Sequence, residues 1–320
     1  MKIDVHSHFL SEKFTRMLEK RARFPFSRVV DGLHHLYCCQ GMAVRAVASM
    51  VAMDHKLADM DALGIDLALL SASIPGPELL GGKQADRTAR MLNDELAEIV
   101  ARHPNRFRGY ATLGFGDIDE TLKELDRCIG ELGFVGLQVF SNIRAQPLDA
   151  PQFRAVFARM AELGRPIFVH PTAPLNRNYM GDVLPLSSLG FMVDTTLAAM
   201  RLAMAGMLEQ YATAPVIIAH VGGTLPMMIP RLQGSLITHP HNGGDPVAWL
   251  RRLYLDTVAH EAGPLRWGYE TVGADHLLFG TDHAFGRWAE HATAAFAGLQ
   301  CSDDERELIA HGNAERLFRL

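Results

Sequence analysis

Eight short apolar runs, separated by longer amphipathic stretches, constrain this 320-residue chain more than any other feature. The runs are Lys2–His6, Ile65–Ser71, Phe107–Leu113, Phe134–Phe140, Pro166–His170, Pro215–His220, Leu253–Val258 and His276–Thr281. Most are continuous rather than alternating, the pattern of parallel strands covered on both faces. Helical patterns lie between them: Asp54–Leu63 before Gly64, Arg87–His103 before Pro104, Asp119–Leu132 before Gly133, Pro151–Leu163 before Gly164, then Val193–Tyr211 and Asp303–Arg319. Proline at a helix start and glycine just past its end mark such boundaries. This alternation predicts an α/β fold, a (β/α)8 TIM barrel formed by residues 1–320 as one domain. A doubly wound open sheet fits less well, because no glycine-rich phosphate loop follows the first run. Residues 9–53 break the alternation with Phe24-Pro25-Phe26, His34-His35 and Cys38-Cys39, and are expected to form a lid-like insertion over the C-terminal face of the barrel.

The chemistry is written at the ends of the runs. In Asp4-Val-His-Ser-His8, residues i and i+2 of a strand point to one side, so His6 and His8 offer paired imidazoles, half of a divalent-metal site. His170 ends the fifth run, His220 the sixth, and Asp282 follows the eighth. A barrel brings all strand ends to one face. A single histidine there is ordinarily structural; five such groups at four ends predict a catalytic metal site. His6, His8, His170 and Asp282 are the expected ligands, and His220 the general acid/base, because imidazole titrates near neutral pH. The alternative is His220 as a ligand with Asp282 as base. No lysine closes the fourth run, which ends at Ser141, so one metal is expected rather than two bridged by a carbamylated lysine. The nitrogen-rich donor set favours Zn2+, with Mn2+ or Fe2+ as alternatives.

The set His6-x-His8, Phe168-Val-His-Pro171, Ala219-His-Val-Gly-Gly-Thr-Leu-Pro226 and Phe279-Gly-Thr-Asp282 resembles the amidohydrolase superfamily. More narrowly it resembles the branch of aminocarboxymuconate-semialdehyde, 6-methylsalicylate and γ-resorcylate decarboxylases, over nearly the whole chain. The resemblance implies a metal-dependent, non-oxidative decarboxylase of a small aromatic or dienoic carboxylic acid, with His220 in proton transfer. It also implies an arginine in the first insertion that clamps a carboxylate, which here is Arg45, and a homodimer. Two positions depart from the branch. Leu186 follows Pro185 where relatives often have an aromatic ring, leaving Tyr179 or Phe191 to supply one. His283 follows Asp282 where relatives often have Tyr or Phe. Relatives with Glu-x-His in the first motif are often Mn2+ enzymes, and this chain lacks that Glu. The competing reading is a hydrolase or hydratase of a lactone, amide or unsaturated acid that uses a metal-bound water. A non-catalytic metal-binding scaffold is a third, disfavoured because His220 would then have no task.

Composition narrows the partners. Net charge is −5 and no basic stripe is visible, so the electrostatics of nucleic-acid binding are missing and a small-molecule acid is the expected partner. No apolar run approaches the roughly 20 residues of a membrane helix and no signal-peptide pattern opens the chain, so a cytoplasmic protein is expected. The four cysteines, Cys38, Cys39, Cys128 and Cys301, lack zinc-site spacing, and Cys38-Cys39 is read as a reduced pair in a loop or on a short helix. His260, after the seventh run, is a candidate for the pocket mouth, whereas His239 and His241 read as surface residues.

Overall fold

The computed structural model describes residues 1–175, 177–180, 185–236, 245–285 and 287–320. At its centre eight strands run in parallel: β1 Ile3–Phe9, β2 Leu67–Ala72, β3 Phe107–Ala111, β4 Gly136–Phe140, β5 Ile167–His170, β6 Val216–Ile218, β7 Tyr254–Asp256 and β8 Leu277–Leu278. The first and last strands meet. Val5 N–H donates to the Phe279 carbonyl at 2.9 Å, Asp282 N–H to His6 at 2.8 Å and His8 N–H to His283 at 2.7 Å. The sheet thus closes into the TIM barrel that the alternation predicts.

Helices wrap it: α1 Met53–Leu63, α2 Gly82–Arg102, α3 Ile118–Gly130, α4 Arg154–Leu163, α5 Phe191–Met204, α6 Leu225–Ser235, α7 Ala262–Val272 and α8 Trp288–Ala297. α1 stops at Gly64, whose φ of 66° lets Ile65 N–H reach back to the Met60 carbonyl at 2.8 Å. Two of the predicted helices are interrupted. Val193–Tyr211 breaks because Gly206, at φ 74°, turns the chain before a short helix at Met207–Gln210. Asp303–Arg319 contains a π turn at Leu308–Gly312, and the Ile309 carbonyl in that turn accepts from Phe279 N–H.

The barrel lumen is filled from below by Ile3, Val5, Leu69, Tyr110, Phe168, Ile217, Leu278 and Phe318. A bulge between Asp4 and Ser7 inserts one residue opposite β2. It lets Val5 close the apolar floor while His6 and His8 still face the lumen above it. Gly280 leaves room for this, since a Cβ there would lie 3.1 Å from the Cβ atoms of both His6 and Asp256. The last strands are shorter than the apolar runs suggest. His220, Val221 and Asp282 all have φ near 56°, a left-handed backbone that cannot continue a ladder.

Within residues 9–53 a helix at Glu12–Glu19 leads into an antiparallel sheet of Phe26–Val30, Leu33–Cys39 and Met42–Arg45. Cys38 and Cys39 therefore lie on a strand, not in a loop or on a helix. Both are buried free thiols that pack as small hydrophobes, and burial pushes the Cys38 thiol well above its usual range. Among the described residues no helix is long and apolar enough to cross a membrane.

Candidate metal centre

Donor atoms of His6, His8, His170 and Asp282 lie within 4.8 Å of one another, and all four residues are buried. His6 Nε2 is 3.1 Å from His8 Nε2, and Asp282 Oδ1 lies 3.2 Å from the first and 3.1 Å from the second. Donors around a divalent ion at about 2.0–2.2 Å stand roughly 3.0–3.5 Å apart, so these spacings suit a shared cation.

The far side of each ring fixes its direction. His6 Nδ1 donates to Asp256 Oδ2 at 2.6 Å, His8 Nδ1 meets Ser71 Oγ at 3.0 Å, and His170 Nδ1 donates to the Pro171 carbonyl at 2.7 Å. With every Nδ1 engaged, every Nε2 turns inward, and His170 Nε2 is a buried nitrogen without a hydrogen-bond partner among the described residues. Such an orphan is costly unless something accepts its lone pair. The donor set therefore fits a divalent metal.

Electrostatics point the same way. Burial opposes a charge on His6, but Asp282 and Asp256 outweigh it and push its pKa up to about 10. Burial drives His8 down to about 4, against its hydrogen bond to Asp282, and holds His170 well below its usual range. Asp282 is kept well below the usual carboxylate range, because His6, His220 and His8 together overcome its burial. The cluster thus sets one anionic carboxylate and one imidazole that favours positive charge, His6, beside two imidazoles that burial keeps neutral, His8 and His170.

His220 stands beside this set. Its Nε2 is 3.2 Å from Asp282 Oδ2, and its Nδ1 has no partner among the described residues. Its ring centroid lies 5.2 Å from that of His6 and 6.5 Å from that of Phe191. His220 and Asp282 both occupy the left-handed region, a strain of about 1 kcal/mol or more each that packing must offset.

One cavity opens on the centre and a second lies beside it. The first, of about 420 Å³, touches His170 and Asp282 and is bounded by Arg45, Ile74, Leu186, Phe191 and Phe285. Arg45 comes from the inserted sheet, so residues 9–53 reach the mouth of the barrel. A second cavity, about 770 Å³, is lined by His220, His260, Met192, Met227, Trp267 and Trp288. Pro185, Ser187, Phe191 and Trp288 border both. His260 thus lies on the second cavity, its pKa lowered by burial and then by His220. The side chain of Tyr179, together with His239 and His241, lies outside the described residues.

Some groups at the centre are not among the sequence candidates. Asp256 holds His6 with one oxygen and accepts from Val221 N–H and Val258 N–H, both at 3.1 Å, with the other. Asp4 accepts from Thr281 Oγ1 at 2.6 Å and from His6 N–H at 3.0 Å. The available signal was a carboxylate inside an otherwise apolar run, where burial demands a partner.

A family model described as amidohydrolase matches residues 3–320. A Gamma-resorcylate decarboxylase from Polaromonas sp. (strain JS666) is 33% identical over 285 residues, covering 83% of this chain and 87% of its own length. A 2-amino-3-carboxymuconate-6-semialdehyde decarboxylase from Dictyostelium discoideum is 27% identical over 300 residues, 89% of this chain and 82% of its own. The crystal structure of a dihydroxybenzoic acid decarboxylase from Polaromonas sp. JS666, with bound manganese and the inhibitor 2-nitroresorcinol, aligns with a TM-score of 0.82 at 29% identity. That alignment covers 100% of this chain and 97% of the other.

Proposed function

The chain belongs to the amidohydrolase family, and from that premise we propose that it is a divalent-metal-dependent decarboxylase of a small aromatic carboxylic acid. The observation that carries the reading is the convergence of His6, His8, His170 and Asp282 beside His220, on a cavity that also receives Arg45. The two Polaromonas proteins, by their names, remove CO2 from dihydroxybenzoic acids.

His6, His8, His170 and Asp282 would hold the divalent cation, which when bound would supply Lewis-acid charge to the reaction. Arg45 receives a carboxylate, its guanidinium fork matching the two oxygens. Ile74, Phe191, Leu186 and Phe285 flank the ring and exclude water. His220 delivers a proton to the ring carbon that bears the carboxylate. The C–C bond then breaks, its electron pair returns to the ring, and CO2 departs. Asp282 Oδ2 keeps the His220 imidazole in position for that transfer.

We propose zinc as the metal, because three imidazoles and one carboxylate make a nitrogen-rich donor set. Metal analysis of the purified protein tests this; manganese, as in the related crystal structure, or iron would change the assignment. On the same reading residues 9–53 act as a lid that carries Arg45, and the enzyme works in the cytoplasm as a homodimer. The free thiols and the apolar residues exposed near the mouth, Met227, Trp267 and Trp288, are in keeping with this.

The decisive experiment incubates metal-loaded protein with a panel of hydroxybenzoates and carboxymuconate-type acids and follows CO2 release. Release from at least one acid is expected. Silence across the panel, with turnover of lactones, amides or unsaturated acids, overturns the decarboxylase reading in favour of a hydrolase or hydratase.

A further inference from the structure

Behind the metal-binding face sits a lysine whose burial calls for an explanation. Lys56, on α1, is fully buried. Its Nζ donates to Ser7 Oγ at 3.2 Å and to His283 Nδ1 at 2.8 Å. It forms no ion pair with a carboxylate among the described residues; Asp4 and Asp59 act on it only at longer range. Burying a lysine amine against neutral acceptors costs several kcal/mol in general.

The two acceptors are not arbitrary. Ser7 stands between His6 and His8, and His283 directly follows Asp282. Their main chains are interlocked: Ser7 and His283 form a parallel bridge, and Asp282 N–H donates to His6 while His8 N–H donates to His283. Lys56 therefore ties together, through side chains, the two segments that carry three of the four donor residues. His283 completes the connection from its other nitrogen. Its Nε2–H donates to Asp59 Oδ2 at 3.0 Å, and Asp59 lies three residues beyond Lys56 on the same helix. The imidazole is thus gripped on both edges by α1. A phenylalanine at 283 offers neither bond, and a tyrosine offers one oxygen at its tip; imidazole alone carries an acceptor and a donor on opposite sides.

We infer that Lys56 and His283 form a clamp that positions the β1 and β8 ligands for the metal, with Asp59 as its outer anchor. They are positioning residues and do not touch substrate. The inference rests on His6, His8, His170 and Asp282 being the metal ligands. That premise is tested separately by His170→Ala, which should lose the metal while the clamp is intact.

The test is a double-mutant cycle read as zinc affinity by competition with a chromophoric chelator at 25 °C, with Tm measured alongside. His283→Phe and Lys56→Met should each weaken zinc binding about 10- to 100-fold, the range typical for groups that support metal ligands. The pair Lys56→Met/His283→Phe should lose no more affinity than either single variant, because both substitutions break the same clamp; losses that simply add, or a double variant with wild-type affinity, would overturn it. Phe318→Ala, in the apolar floor of the barrel, is the control: it should lower Tm and leave zinc affinity within about twofold. A purely structural role for Lys56 predicts that all four variants lose Tm with zinc affinity unchanged, and that result overturns the clamp. If His283→Phe does not fold, Asp59→Asn at the half-exposed end of the chain takes its place. It should weaken zinc binding by about three- to tenfold; unchanged affinity would again overturn the inference.

Discussion

Asp282 divides its two oxygens between two tasks: Oδ2 lies 3.2 Å from His220 Nε2, while Oδ1 faces His6 and His8. One carboxylate thereby belongs both to the donor set and to the group proposed for proton transfer. His220→Asn should separate the tasks. We expect the metal to remain bound and kcat to fall about 10²- to 10⁴-fold, as for loss of a general acid. A variant that keeps its metal and its full rate would remove His220 from the chemistry.

Arg45 reaches the cavity from the inserted sheet, and the cation it brings is the one proposed to hold a carboxylate. Arg45→Ala should raise KM for the acid about 10- to 100-fold. Arg45→Lys should restore only part of this, because an ammonium cannot reproduce the two-pronged contact. Steady-state kinetics on the best acid of the panel decides; an unchanged KM in the alanine variant removes the clamp.

Asp256 holds His6 by a 2.6 Å hydrogen bond and is fully buried. Asp256→Asn keeps its shape but no longer offers two anionic oxygens. Metal affinity should drop about 10- to 100-fold, with some loss of stability because Val221 and Val258 share the same side chain. Chelator competition measures the first effect and thermal unfolding the second. Wild-type affinity in this variant would mean that His6 is held by packing alone.

Glu78 offers a pH test away from the metal. It is buried, its Oε1 has no partner among the described residues, and burial pushes its carboxyl up from 4.5 to about 8 against the opposing charge of Arg144. Below about pH 4.5 folded and unfolded chains both hold this proton. Between about 4.5 and 8 only the folded chain keeps it, so this group's contribution to stability declines as pH rises and levels off above 8. Glu78→Gln abolishes the titration. Relative to wild type, its unfolding free energy from urea titration should improve steadily from pH 5 to pH 8, by up to a few kcal/mol, about 1.4 kcal/mol per pH unit at most. Parallel pH profiles for the two proteins would rule this out.

The barrel and the five groups at its mouth were readable because buried parallel strands are continuous apolar runs, and a polar residue at the end of such a run stands out. Where each strand stopped was not readable. His220 and Asp282 leave the ladder through a left-handed backbone, which nothing in Ala219-His220-Val221 or Thr281-Asp282-His283 announces. The inserted sheet was hidden because Phe26–Val30 and Leu33–Cys39 bury their residues irregularly, without the alternation that marks a half-buried strand. Lys56 was hidden for the opposite reason. On a helix with the pattern Met53-Asp-His-Lys-Leu-Ala-Asp59, a lysine reads as surface, and only the packing of α1 against the β1–β8 seam puts it inside.

The seam between the first strand and the last has a consequence for biosynthesis. His6 and His8 lie on the first strand of the barrel, whereas the carboxylate that completes the quartet, Asp282, follows the last. A nascent chain therefore carries an unfinished site until Asp282 has been made, and the full quartet forms only on ring closure. A pulse of divalent metal supplied only during synthesis, then chelated before release, should leave the finished protein empty.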